Sequence, residues 1–182
     1  MPVPVAIAVT LQFLLAAAFL IIPITVWITG GAAQHAAETE VVRQGHPAAV
    51  LVRHGIRFKE ERWEFALALG IAAVMATLAW LNLTAHRSGR ILSWIIEPVV
   101  LLAAGTVTAG QVFAARYTQA AFARSDDPAV RDIDTHAVIA AASTEFPSWL
   151  RPLVLTRFAL TTLGSLLVII LLATPEAGTH FP

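Results

Sequence analysis

Residues 5–27 read VAIAVTLQFLLAAAFLIIPITVW, and this run contains no ionisable side chain. A helix needs about 20 mostly apolar residues to cross the hydrocarbon core of a bilayer, so the run is long enough to span it. The alternative is a cleaved signal peptide, with small residues at 31–33 as the cleavage point. No Lys or Arg precedes the run, however, and it exceeds the ~7–15 apolar residues of a signal. We therefore predict a retained transmembrane helix.

Three further apolar runs follow, at residues 65–83, 91–115 and 153–173. The short polar turn 84–90 joins the first two of these, which predicts an antiparallel hairpin. Backbone amides find no partner in lipid, and the alternating pattern of a membrane β-strand is absent, so each run is expected to be helical. The sequence predicts an all-α polytopic membrane protein with a four-helix transmembrane bundle.

Two long connections separate the spans, at residues 30–64 and 116–152, and a single transmembrane domain is expected over residues 1–182. Within the first connection, Ala36–Arg43 is predicted as a separate short helix. In the second, apolar residues recur at helical spacing over 129–143, which is typical of an amphipathic helix. Both connections are therefore expected to be helical.

The composition excludes several classes of protein. Of the 182 residues, 57% are hydrophobic and 13% are charged, and the mean hydropathy of +0.72 argues against a water-soluble domain. Twelve basic residues balance twelve acidic ones, so no nucleic-acid partner is expected. The chain has no cysteine, which excludes disulfides and thiolate-held metals. All six histidines lie outside the spans, and no cofactor is predicted.

The basic residues predict an orientation. The side carrying the long connections has six Lys or Arg residues near the helix ends, whereas the opposite side has only Arg87 and Arg90. The positive-inside rule therefore places the connections in the cytoplasm and both termini outside. Abundant Ala, with Arg greatly outnumbering Lys, is typical of a high-GC bacterial coding sequence. We expect a multi-pass protein of a bacterial plasma membrane.

Small and weakly polar residues recur at alternating intervals of three and four positions in two of the runs, so that each set forms a stripe along one face of its helix. The stripe of the second run contains Ala66, Gly70, Ala73, Thr77, Trp80 and Thr84, and that of the third contains Glu97, Leu101, Ala104, Thr108, Gln111 and Ala115. Membrane helices associate through close backbone approach and interhelical hydrogen bonds, so both stripes are predicted packing seams. The alternative is a polar path through the bundle.

Glu97 and Arg157 are the charged residues inside the apolar runs. A carboxyl at such a depth must be paired, protonated or in contact with water. Arg90 lies seven residues earlier on the same stripe, so the pair could anchor the helix end. Alternatively, the helix begins near Ser93 and leaves Glu97 in its first turn, where the helix dipole favours a carboxylate. The third alternative is that Glu97 handles protons or ions. Arg157 can snorkel to a headgroup or a backbone carbonyl. Together with Thr108 and Gln111, these two residues are the candidate ion or proton pathway.

Asp132, Asp134 and His136 form a weak candidate metal site. Their Asp-x-Asp-x-His spacing superficially resembles a phosphotransfer or metal motif, with Asp132 and His136 on one helical face. Such motifs follow a buried strand, and no strand is predicted here, so a solvated helix face is the competing interpretation. Motifs for phosphate binding or nucleophilic catalysis are absent from the sequence.

Three functional hypotheses follow. The first is a non-catalytic accessory or scaffold subunit, or a homo-oligomer, of a plasma-membrane assembly, whose partners are the lipid bilayer and other membrane subunits. The second is a small channel or carrier for protons, ions or a small solute. The third is a membrane enzyme that uses Asp132, Asp134 and His136 with a divalent metal. The sequence identifies neither a substrate nor a partner.

Overall fold

A computed structural model of the chain describes residues 1–124 and 128–181, which form helices and contain no β-strand. The helices are α1 (Val3–Arg43), α2 (Ala49–Arg53), α3 (Arg62–Leu83), α4 (Arg87–Val112), α5 (Ala114–Ala123), α6 (Pro128–Arg131), α7 (Thr135–Ser143), α8 (Leu150–Ala173) and α9 (Pro175–Gly178). The predicted all-α class is confirmed.

Within the described ranges, α1, α3, α4 and α8 are long and apolar enough to cross a membrane. The chain is therefore a multi-pass membrane protein, and the predicted four-helix organisation is confirmed. Two of these helices contain a π-helical stretch, at Val100–Ala104 in α4 and at Leu160–Gly164 in α8.

α1 is far longer than a membrane span requires. Its 41 residues extend about 60 Å at ~1.5 Å per residue, whereas the hydrocarbon core is ~30 Å thick. The segment Ala36–Arg43, predicted as a separate helix, is the uninterrupted end of α1. The Ala, Gln and Glu residues after Gly31 favour a helix strongly enough to offset the two glycines before them.

The contacts between residues divide the chain into two compact units. Unit 1 comprises Met1–Ile22, Ala66–Val112 and Arg151–Pro182, and unit 2 comprises Pro23–Phe65 and Phe113–Leu150. Each unit has a hydrophobic core of its own.

In unit 1, α4 and α8 pack as an antiparallel pair. The end of α8, Ser165–Ala173, contacts the beginning of α4, Arg87–Val99, and the two π-helical stretches contact each other. Around this pair the core includes Leu15, Phe19 and Met75 from α1 and α3. This packing brings polar residues of all four long helices into unit 1.

α3 does not bury the face that its small residues predicted. Its buried residues are Ala72, Met75, Leu78, Ala79 and Asn82. The predicted seam of Ala66, Gly70, Ala73, Thr77, Trp80 and Thr84 is exposed along its whole length. The seam is therefore not formed within this chain, because spacing indicates which residues share a face but not which face meets a neighbouring helix of the same chain.

Unit 2 contains the C-terminal half of α1 and the helices α2, α5, α6 and α7. Its core is made of Ala33, Ala37, Val41, Val50, Leu51, Phe122, Val130, Ile133, Val138 and Ala142. Gln34 Oε1 accepts a 2.9 Å hydrogen bond from the Phe58 amide, which fixes the segment after α2 against α1. A Cβ on Gly30 would lie 2.7 Å from the Phe58 carbonyl oxygen, so this close approach requires glycine.

Candidate functional site: a buried carboxyl and its polar neighbours

Glu97 lies inside unit 1 on α4, and its side chain is completely buried. Pro98 follows it, and the π-helical stretch begins at Val100. Proline has no amide to donate to the carbonyl four residues earlier, so the regular hydrogen-bond ladder is already broken beside Glu97. π-Helical turns within α-helices are frequent at functional sites. The position of Glu97 beside such a turn makes it a candidate site residue.

Two carboxamides and a hydroxyl form a hydrogen-bonded group with the carboxyl of Glu97. Gln12 Nε2 donates to Glu97 Oε1 at 2.9 Å and to Ser93 Oγ at 3.1 Å. Asn82 Nδ2 donates to Gln12 Oε1 at 3.0 Å and to Ser93 Oγ at 2.9 Å. These four side chains, here called the polar cluster, are all fully buried. They join α1, α3 and α4 through hydrogen bonds between buried side chains.

Three oxygens around the polar cluster lack hydrogen bonds. Ser165, on α8, is also buried. Among the described residues, Glu97 Oε2, Asn82 Oδ1 and Ser165 Oγ have no hydrogen-bond partner. Each buried polar atom left in this state costs about 1–3 kcal/mol. The polar cluster therefore combines hydrogen-bonded atoms with buried oxygens that have no hydrogen-bond partner among the described residues.

The predicted pairing of Glu97 with Arg90 is wrong. Arg90 Nε donates to the Leu172 carbonyl oxygen at 2.9 Å, and its guanidinium carbon lies 4.8 Å from the centre of the Trp94 ring. The carbonyls at the end of α8 lack helical partners, so they attract this cation more readily than a carboxyl deeper in α4 does. Glu97 accepts a hydrogen bond from the Gln12 carboxamide in place of a cation.

Arg157 forms a second polar contact in unit 1. Its Nη2 donates to Gln111 Oε1, and its guanidinium carbon lies 5.1 Å from the centre of the Phe19 ring. Although Arg157 is a cation, only 3% of its surface is exposed. The side chain was expected to reach a headgroup or a backbone carbonyl, and in the structure its contacts include this carboxamide and this aromatic face.

The four predicted pathway residues belong to different contacts. Glu97 belongs to the polar cluster, whereas Gln111 and Arg157 bind each other. Thr108 is buried and donates to the carbonyls of Ala104 and Gly105 in its own helix, at 2.9 and 3.1 Å. The fold therefore arranges these residues as separate local contacts.

Sequence analysis missed Gln12, Asn82, Ser93 and Ser165. Signals for three of them were present: Gln12 is a lone carboxamide in an uncharged run, Asn82 is the only asparagine in the sequence, and Ser93 precedes Glu97 by four residues. Four residues separate neighbours on one helical face, so Ser93 in particular was predictable. Nothing comparable marked Ser165.

The candidate metal residues lie in unit 2, where Asp134 has a structural role. Its carboxylate accepts hydrogen bonds from the amides of His136 and Ala137, at 3.0 and 3.1 Å, and so caps the N-terminus of α7. Asp132 and His136 are exposed. In the part of the chain that the structure describes, no group of three His, Cys, Asp or Glu residues is placed to hold a metal.

No protein-family model, curated protein or solved structure matches this chain.

Proposed function

We propose that this protein is a non-catalytic accessory or scaffold subunit, or a homo-oligomer, of a membrane assembly. The observation that carries the proposal is the exposed stripe of small residues on α3. Ala66, Gly70, Ala73 and Thr77 are exposed, and a Cβ added to Gly70 would meet nothing within 4 Å. Small residues allow two membrane helices to approach closely, which is how such helices associate in lipid. The stripe is thus available to another helix.

Light scattering of the full chain in nanodiscs or mild detergent tests this proposal. We expect the wild type to have the mass of an oligomer or of a complex with a copurifying membrane subunit. The double variant Gly70→Leu, Ala73→Leu should run as a monomer because larger side chains prevent close approach. Gly110→Leu is the control, since Gly110 also has open space around it but lies on α4. A monomeric wild type, or an unchanged double variant, contradicts the proposal.

The location proposed for the assembly is a bacterial plasma membrane, with the long connections in the cytoplasm and both termini outside. Because the chain has no cysteine, single variants can be labelled without background. Ser148→Cys lies before α8 in a long connection, and Thr179→Cys lies near the C-terminus; both positions are exposed. A membrane-impermeant maleimide should label Thr179→Cys in intact spheroplasts, but Ser148→Cys only after permeabilisation. The reverse pattern would invert the proposed orientation.

The buried, unpartnered Oε2 atom of Glu97 favours a second candidate function, a small channel or carrier for protons or small ions at Glu97. Reconstituted liposomes distinguish it from the scaffold. If the second function holds, Glu97→Gln abolishes proton or cation flux, while Glu176→Gln, which changes an exposed carboxyl of α9, leaves it unchanged. Flux that is equal in liposomes with wild type, Glu97→Gln and no protein eliminates this candidate.

A further inference from the structure

A lateral cavity in unit 1 combines cations with aromatic rings. It has a volume of about 380 Å³ and is lined by Arg87, Arg90, Ile91, Trp94 and Phe181. Three of these residues, Arg87, Ile91 and Trp94, are exposed on α4. The residues come from the beginning of α4 and the segment after α9, and none of them takes part in the polar cluster.

The Arg90 guanidinium is held in place before any ligand arrives. Its Nε donates to the Leu172 carbonyl oxygen, and its carbon lies 4.8 Å from the Trp94 ring centre and 5.8 Å from that of Phe181. Because Nε is occupied by the carbonyl, the Nη groups remain as donors, and paired arginine donors match the oxygens of a phosphate.

The charge of the cavity is positive. Its lining contains two arginines and no carboxylate. Glu176 is exposed on α9 and Glu97 is buried in the polar cluster, and neither lines the cavity. An anion here would meet two cations and no acidic side chain from the lining.

The apolar part of the cavity indicates that the ligand has an apolar portion beside its anionic group. Trp94 and Ile91 are respectively 40% and 47% exposed, and they lie near the end of a membrane-spanning helix. Tryptophan is enriched at the level of lipid headgroups, where its ring contacts both acyl chains and the polar region. A small inorganic anion makes no apolar contact with this surface, whereas the acyl chains of a phospholipid do.

We infer that this cavity is a binding site for an anionic phospholipid, whose phosphate is held by Arg87 and Arg90 and whose acyl chains lie along Ile91 and Trp94. Basic pockets between membrane helices bind anionic headgroups by this combination of charge and apolar contact. The inference is independent of the proposed assembly, since it depends only on contacts within unit 1.

Native mass spectrometry of the full chain in mild detergent tests the site, with phosphatidylglycerol and phosphatidylcholine as probes. We expect phosphatidylglycerol to be retained preferentially and Arg87→Gln to weaken that preference about fivefold. Arg151→Gln, which removes an exposed arginine at the start of α8, is the matched control and should change nothing. Equal retention of the two lipids, or an unchanged preference in Arg87→Gln, overturns the inference.

A second measurement locates the lipid and identifies its source. Brominated phosphatidylglycerol should quench tryptophan fluorescence more than brominated phosphatidylcholine, and this excess should disappear in Trp94→Phe. Glycerol phosphate and inorganic phosphate should not displace the lipid. An excess that persists in Trp94→Phe overturns the inference, as does displacement by either soluble anion, which would make the cavity a free-phosphate site.

Discussion

Gln12 Nε2 lies 2.9 Å from Glu97 Oε1, so a carboxamide of the first span donates to a carboxyl of the third across 85 positions of sequence. Both side chains are fully buried. In a bundle surrounded by lipid, where apolar contact between helices gains little over contact with acyl chains, such hydrogen bonds help to specify how the helices pair.

The contact between Gln12 and Glu97 should contribute measurably to stability. Gln12→Leu removes both donated hydrogen bonds, and we expect a loss of about 1–3 kcal/mol in the free energy of unfolding. Thr10→Val changes an exposed residue of the same helix and should have little effect. In a Glu97→Leu background the loss from Gln12→Leu should shrink, because the carboxyl partner is already gone. Thermal unfolding in mild detergent compares the wild type with these four variants, and strictly additive losses from Gln12→Leu and Glu97→Leu would contradict the coupling.

Gly89 should be essential to the approach of α3 and α4. A Cβ at this position would lie 2.8 Å from Asn82 Oδ1 and from two atoms of Leu81. We expect Gly89→Ala to destabilise the bundle by about 1–3 kcal/mol through overpacking. Gly70→Ala is the control, since Gly70 is exposed on α3 with open space around it. The melting temperature of Gly89→Ala should be lower than that of Gly70→Ala, and equal melting temperatures would contradict the predicted role of Gly89.

Gly30 and Gly31 provide a matched pair of positions in unit 2. A Cβ on Gly30 would lie 2.7 Å from the Phe58 carbonyl oxygen, whereas one on Gly31 would meet nothing within 4 Å. Gly30→Ala should therefore loosen the segment after α2. Gly31→Ala should be neutral or slightly stabilising, because alanine favours a helix by about 1 kcal/mol over glycine. Hydrogen exchange of the Phe58 amide, which Gln34 holds, should accelerate only in Gly30→Ala.

Asp134 distinguishes a structural role from metal binding. Asp134→Ala should cost about 1 kcal/mol because it removes the cap of α7, while Asp134→Asn should preserve stability because asparagine also caps helices. If the metal hypothesis holds, both variants lose Mn²⁺ or Mg²⁺ binding, since an amide is a weaker ligand than a carboxylate. Calorimetric titration and thermal unfolding of the two variants give both readouts. A loss of stability in Asp134→Asn equal to that in Asp134→Ala would contradict the capping role.

Local sequence predicted the helices well but the faces of the helices poorly. The four apolar runs correspond to the four long helices, because transfer into lipid depends on the summed hydropathy of a continuous segment. The end of α1 was missed, since a loss of hydropathy after Trp27 does not end a helix. The stripe of α3 does not pack within the chain, because the spacing of its residues does not specify which neighbouring helix it meets.

The candidate site was only partly predictable for the same reason. Glu97 and Arg157 are conspicuous as charges in apolar runs, and both are buried. Their partners were not predictable, because Gln12 and Gln111 meet them only through the approach of separate helices.

The sequence by itself determined that the chain crosses a membrane as helices, since the free energy of burying each segment in lipid is set by that segment's own residues. Only the tertiary structure decided that Glu97 binds a carboxamide, that Arg90 binds the end of α8, and that the small residues of α3 remain exposed. Those outcomes depend on the rotation and separation of helices that lie far apart in sequence, and no local pattern contains that information.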